Sequence, residues 1–274
     1  MLTFLYQGDT SLVLDLDALT VGNGQERTAD EWARIRLGAG NRQVEVGEVF
    51  RISGSGEDGI WEFEGDLSRG HGLATGLKQG EIRVKGNVGR RLGCGMKGGT
   101  IRVQGDAGDL AGAEMQGGLI HIRGNAGHQA GAAWPGNTRG MTGGVLLIEG
   151  NAGRETGRAM RRGSVAVGGS CGDFAAAQLI AGTVMVFGTC GSFPGLGMKR
   201  GTLALFTPMV EVPPHFSFSC RYRPQFLAFY LRQLLAMNFP VPSTTFGCET
   251  LRYCGDLLQL SKGEILVLAA PNLP

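Results

Sequence analysis

Cysteines, histidines and paired carboxylates are where metal binding, nucleophilic attack and acid–base work would begin, and in this chain they are dispersed. Cys94, Cys171, Cys190, Cys220, Cys248 and Cys254 form no C-x-x-C pair and have no histidine at ligand spacing, so neither a zinc nor an iron–sulfur site is expected. His71, His121, His128 and His215 form no paired motif and no nucleophile arrangement. The run Gly93-Cys-Gly-Met-Lys-Gly98 has the letters of a dinucleotide fingerprint, but no helix-forming segment follows it, and that fingerprint works only on a strand–turn–helix unit. No phosphate loop is present. Without a convergent set of reactive side chains, the sequence points to a subunit that shapes or holds other subunits.

The elements that must position these residues come from a repeat. Equivalent glycines stand at Gly80, Gly99, Gly118, Gly144, Gly163, Gly182 and Gly201, at steps of 19, 19, 26, 19, 19 and 19 residues, and Gly59 extends the series backward. A period in this range signals a stacked architecture. The first third of each unit alternates apolar and variable residues, the period of a strand. The pairs run Trp61/Phe63, Ile82/Val84, Ile101/Val103, Ile120/Ile122, Leu146/Ile148, Val165/Val167, Val184/Val186 and Leu203/Leu205. All sixteen are expected to point inward. Nineteen residues cannot hold a strand, a return helix and two loops, but they can hold three short strands joined by tight corners. The reading is therefore all-β: a right-handed single-stranded parallel β-helix of about eight 19-residue coils, with a short N-terminal cap and a C-terminal extension containing one amphipathic helix. Stacking would place Leu77, Met96, Met115, Met141, Met160, Leu179 and Met198 in one core column, and Cys171 beside Cys190 as reduced core thiols.

Outward positions carry the functional information. The third place in each unit reads Glu62, Arg83, Arg102, His121, Leu147, Ala166, Met185 and Ala204, so this face turns from charged to apolar along the axis. Something must cover the apolar end: either the C-terminal helix folds back or a partner protein docks there. Arg83, Arg102 and His121 form a cationic ladder that could take a polyanionic tail, with a solvated surface histidine as the bland alternative for His121. The long repeat step is Trp134-Pro-Gly-Asn-Thr-Arg-Gly140, an insertion that would emerge as a loop. Its Trp134, Asn137 and Arg139 are candidates for an interface or substrate channel; the alternative is a tolerated surface loop.

Residues 1–57 read as an N-terminal cap and first coil, 58–207 as the repeat domain and 208–274 as the extension. Thr28-Ala-Asp-Glu31 has the form of a capping box before a helix around Trp32 to Leu37, and Val44, Val46, Phe50 and Ile52 read as strand. Pro224 opens a helix to about Met237 whose Phe226, Tyr230 and Leu234 belong to an apolar docking stripe. A strand pair is expected around Ser261-Lys262-Gly263. A formal net charge of +2 argues against nucleic-acid and anionic-membrane partners. No targeting segment or long apolar run is evident, so a cytoplasmic location is expected.

The runs Gly80-Glu-Ile-Arg-Val-Lys-Gly-Asn-Val-Gly, Met115-Gln-Gly-Gly118 and above all Trp134-Pro-Gly-Asn-Thr-Arg-Gly-Met-Thr-Gly-Gly144 resemble the C subunit of formylmethanofuran dehydrogenase. The C-terminal stretches Arg223-Pro-Gln-Phe-Leu-Ala-Phe-Tyr-Leu and Arg252-Tyr-Cys-Gly-Asp256 look like its bacterial branch, the C subunits of formyltransferase/hydrolase complexes. The resemblance implies a non-catalytic structural subunit that assembles with the A, B and D subunits. It implies a complex that moves a formyl group from tetrahydromethanopterin to a methanofuran-like carrier and hydrolyses it to formate, with zinc on the A subunit. No cofactor and no catalytic residue transfers to this chain, and Arg139 with its loop becomes the best interface or channel candidate. Two alternatives stay open: the C subunit of a molybdenum or tungsten formylmethanofuran dehydrogenase, and a channel-supporting domain of the glutamate synthase type, whose Gly-x-Gly-x-Gly repeat is similar.

Overall fold

The computed structural model describes residues 1–19, 27–208 and 212–269. In chain order the strands are β1 (Leu2–Tyr6), β2 (Leu14–Asp15), β3 (Arg36–Ala39), β4 (Arg42–Glu45), β5 (Phe50–Gly54), β6 (Ile60–Glu64), β7 (Gly70–His71), β8 (Glu81–Lys85) and β9 (Thr100–Val103). They continue with β10 (Leu119–Ile122), β11 (Val145–Ile148), β12 (Ser164–Val167), β13 (Thr183–Val186), β14 (Arg200–Leu205), β15 (Ser217–Tyr222), β16 (Thr250–Gly255) and β17 (Lys262–Leu268). The helices are α1 (Ala29–Ala33), α2 (Val46–Val49) and α3 (Gln225–Ala236).

Alternation in the sequence becomes burial in the structure. All sixteen residues of the period-two pairs lie in one core with at most 6% of their surface exposed, and the Leu77 to Met198 column is fully buried among them. Parallel pairing keeps strict register, Ile82 opposite Ile101 and Ile120 opposite Leu146, because any one-residue slip would turn the apolar set outward. The unit-opening glycines are required by shape. Gly118 has φ +87°, and a Cβ there would lie 2.6 Å from both the Gly99 carbonyl oxygen and the Met96 methyl, so the methionine column and the glycine column specify each other.

The expected right-handed single-stranded parallel β-helix is corrected by the sheet topology. The molecule is built on one thirteen-stranded mixed sheet, ordered β15-β16-β17-β14-β13-β12-β11-β10-β9-β8-β6-β1-β5, with a separate four-stranded sheet β4-β3-β2-β7. Its middle is parallel, but β1 pairs antiparallel with β5 at one end, and β17, β16 and β15 pair antiparallel at the other. Each repeat unit contributes one strand to this sheet. A second point of contact is a line of isolated bridges, Leu67–Val88–Ala107–Ala126–Ala152–Cys171–Cys190, and the rest of the unit is turn. The reason is local. Between bridge and next strand each unit passes through left-handed positions, such as Leu110, Gly112 and Glu114 in one unit, and such backbone cannot run as strand. The antiparallel additions satisfy strand edges that would otherwise be open. Cys171 and Cys190 stack as free thiols.

Near the N-terminus the Thr28/Glu31 capping box forms, but α1 stops at Ala33 and Leu37 lies in β3. Val46 sits in α2 rather than in a strand.

Candidate functional surface

The insertion leaves the stack at Ala133 and rejoins at Gly140 without disturbing the register. Ala133 N–H donates to the Arg158 carbonyl (3.1 Å) and Gly140 N–H to that of Ala159 (2.9 Å), both in the following unit. Between them the loop is tied to the unit before. Glu114 Oε1 accepts from the Trp134 backbone N–H (3.0 Å) and from Asn137 Nδ2 (2.7 Å). Glu114 itself sits at φ +55°, where its equivalents Gly76, Gly95 and Gly197 are glycine. An L-residue there costs roughly 1–2 kcal/mol of backbone energy, a cost that Ala159 and Gln178 bear at the same repeat position, both at φ +55°. Trp134 is half-buried, and Pro135 to Arg139 are exposed. The Arg139 guanidinium makes no hydrogen bond or ion pair among the described residues.

Loop and turn ridge enclose two adjoining clefts. The first, of about 490 Å³, lies between Asn137 and Thr138 of the loop and Arg158, Gln178, Lys199 and Gln259. The second, of about 380 Å³, shares Arg158, Gln178 and Gln259 and adds Phe174, Leu196 and Leu258. Arg158 is held loosely by Glu155 at 3.8 Å, and Glu155 also accepts from Gln129 Nε2 at 2.6 Å.

The outward ladder on the sheet lies apart from this loop, with no hydrogen bond between them among the described residues. Its charges are spent locally. Arg83 Nε (2.9 Å) and Arg102 Nε (3.3 Å) both meet Glu81 Oε1, and Lys85 bridges Glu62 (2.7 Å) and Glu64 (2.8 Å). The Arg83 hydrogen bond holds the Glu81 carboxyl below the usual carboxylate range. His121 is 5% exposed, with Nε2 at 2.7 Å from Glu149 Oε1. Burial pushes its pKa down, and the Glu149 carboxylate opposes that without reversing it. A ladder so neutralised presents little free positive charge to a polyanion.

The apolar end of the same face is covered by α3. Leu227, Leu231 and Leu234 are buried against Leu147, Ala166, Met185, Phe187, Ala204 and Phe206 in a second core. Phe187 and Phe206 stack at 4.5 Å, and Phe239 closes over Phe187 at 5.7 Å. Phe226 and Tyr230 are only partly buried and meet edge to face at 6.4 Å, so of the three predicted docking residues Leu234 carries the packing. Phe229 on the opposite side of the helix is 70% exposed.

Sequence reasoning missed Glu114, Arg158 and Lys199. The signal for Glu114 was present: a charged residue standing in a column otherwise rich in glycine. Among the described residues no group of three His, Cys, Asp or Glu is arranged to hold a metal ion, and no helix is long and apolar enough to cross a membrane.

The GXGXG motif family model matches residues 63–214. The Fhc C subunit of the formyltransferase/hydrolase complex of Methylorubrum extorquens is 39% identical over 92 residues, a stretch that spans 34% of this chain and 34% of that protein. A chain in the X-ray crystal structure of the formyltransferase/hydrolase complex (FhcABCD) from Methylorubrum extorquens in complex with methylofuran superposes with a TM-score of 0.88. It is 36% identical, and the match covers 98% of this chain and 100% of that one.

Proposed function

Because this chain belongs to the GXGXG motif family, in the group of C subunits of formyltransferase/hydrolase complexes, we propose that it is the non-catalytic assembly subunit of such a complex. The observation that carries this reading is the end-to-end match, at 36% identity, to a chain of the FhcABCD crystal structure. The complex would transfer a formyl group from formyl-tetrahydromethanopterin to a methanofuran-like carrier and hydrolyse it to formate, in the cytoplasm. Zinc and both carriers would be handled by the A, B and D subunits. This chain would brace them.

The disposition of its own side chains supports a bracing role. Catalysis needs reactive groups that converge on a space a substrate can enter. Here Arg83 and Arg102 are committed to Glu81, and His121 to Glu149, on a flat strand face. Arg139 on the inserted loop is left unspent among the described residues and sits at the surface, where a second protein can reach it. Residues 1–57 and 208–274 would serve as end pieces that close the sheet, with 58–207 as the rigid rod between them.

The test is purification of the tagged chain from cells that express all four subunits. The A, B and D subunits should elute with it in fixed ratio, and the chain alone should release no formate from the formylated carrier. Turnover by the isolated chain, or its elution as a lone monomer while the other three elute together, would overturn the reading.

A further inference from the structure

The position after each core methionine lies at a corner between turn ridge and strand. Backbone hydrogen bonds fix its stacking: Lys97 N–H donates to Leu77 O (2.7 Å), Arg161 N–H to Met141 O (2.8 Å) and Lys199 N–H to Leu179 O (2.7 Å). Read down the column, the corner is Lys78, Lys97, Gln116, Thr142, Arg161, Ile180 and Lys199, and the next position adds Arg162 and Arg200. Neither column contains an aspartate or glutamate. Toward the C-terminal end five cations gather there, Arg161, Arg162, Lys199, Arg200 and Lys262, all exposed. Arg200 and Lys262 are register partners in β14 and β17. None of the five has an ion pair among the described residues.

This is not for want of carboxylates in the fold. On the sheet face Arg83, Arg102, Lys85 and Arg252 each meet one. Like charges side by side on adjacent strands destabilise a sheet. The corner retains them unneutralised, which is the expected state of a surface whose counter-charge arrives with another molecule.

Beside this corner stands an apolar tip. The turn between β16 and β17 is clamped by Asp256, 1% exposed, whose carboxylate accepts from Gly197 N–H (2.9 Å) and Leu258 N–H (2.8 Å). So clamped, the turn holds Leu257, Leu258 and Leu260 out to solvent, with Leu258 80% exposed. Leu258 and Leu196 line one cleft with Phe174; the adjoining cleft brings Lys199 against the inserted loop. Phe193, itself 53% exposed, stacks on Phe174 at 5.6 Å. Cations, apolar tip and insertion thus form one continuous surface.

We propose that this surface docks an acidic partner protein. An apolar side chain of that partner enters the cleft at Phe174, Leu196 and Leu258, and its aspartates and glutamates surround that side chain to meet Arg161, Lys199, Arg200 and Lys262. An apolar centre with a charged rim is the anatomy of a protein–protein contact. The exposed leucines at the centre of the patch favour a protein over nucleic acid, whose contacts are dominated by phosphate, and the formal net charge is only +2. The inference rests on the assembly-subunit reading for the choice of partner, and adds where on this chain the partner sits and what chemistry it presents.

The experiment uses the full chain with the A, B and D subunits of its own complex, and measures association by biolayer interferometry at 50 and 300 mM salt. Two variants are made: Lys199→Glu with Arg200→Glu and Lys262→Glu, and separately Leu258→Asp. Thermal melts verify that both fold. The charge reversal should slow association at least about tenfold at low salt and flatten its salt dependence, since rim charges act on the on-rate. Leu258→Asp should speed dissociation by about ten- to a hundredfold at both salts. Folded variants that bind within twofold of wild type would overturn the surface while leaving the subunit reading intact. Wild-type chain that binds none of the three other subunits would overturn both. Retention of wild type on double-stranded DNA at 150 mM salt, lost in the charge reversal, would also overturn the proposal by making the patch a nucleic-acid site.

Discussion

Glu114→Ala tests whether the inserted loop is held by one side chain. The carboxylate receives two hydrogen bonds, from Trp134 N–H at 3.0 Å and Asn137 Nδ2 at 2.7 Å. Bonds to a charged acceptor contribute about 1.5–3 kcal/mol each, and the Asn137 bond is exposed, so about 2 kcal/mol for the pair is a fair figure. At about 1.4 kcal/mol per factor of ten, amides of the loop should exchange about 30-fold faster. The backbone at Glu114 supplies an internal control, because its φ is +55°. Alanine keeps the left-handed cost, whereas Glu114→Gly removes roughly 1–2 kcal/mol of it while losing the same two bonds. Hydrogen-exchange mass spectrometry on peptides spanning 133–141 should therefore show equal loop acceleration in both variants. Global denaturation should find Glu114→Gly more stable than Glu114→Ala by about 1 kcal/mol. Loop exchange within threefold of wild type in Glu114→Ala would refute the anchor.

The cover on the apolar face and the buried thiols give two more predictions. Leu231 is 1% exposed between α3 and the sheet, so Leu231→Ala should cost about 2–5 kcal/mol by chemical denaturation, and a loss under 1 kcal/mol would mean that α3 does not seal that face. Burial raises the Cys171 thiol to about 11 and the Cys190 thiol to about 12, with the Cys171 and Asp173 charges adding to the latter, so both stay protonated at pH 8. Iodoacetamide at that pH should label exposed Cys220 at least about 100-fold faster than either, as read by peptide mass spectrometry; comparable rates would show that the bridge column opens.

The strands of the parallel middle were legible because Ile82/Val84 and their equivalents alternate with period two and recur with the glycines, so one signal fixed both element and register. The ends were not. Nothing in Leu2-Thr-Phe-Leu-Tyr6 states that it will lie between β6 and β5, parallel to one and antiparallel to the other; that choice is made by which edges remain open after the repeats have stacked. Val44, Val46, Phe50 and Ile52 show the same limit. Val46 carries strand spacing, yet it begins α2, where Glu48 Oε1 accepts from the Glu45 backbone N–H at 2.9 Å.

The charged face was legible as a pattern, but not its neutralisation. Arg83, Arg102 and His121 recur at one position, which the sequence displays, but Glu81 lies two residues from Arg83 and Glu149 two residues past the next ladder position, and only cross-strand register brings them into reach. Charges must therefore be summed over neighbouring columns before any of them counts as free. Applied to the corner after the methionines, that sum finds Arg161, Lys199 and their neighbours with no acidic column beside them. A repeat fold makes the comparison unusually direct, since every unit offers the same set of adjacent positions and a column without counter-charges stands out against the sheet-face columns that have them. Glu114 is explained in the same way, since its carboxylate is spent not within its own unit but on Trp134 N–H and Asn137 Nδ2 of the inserted loop.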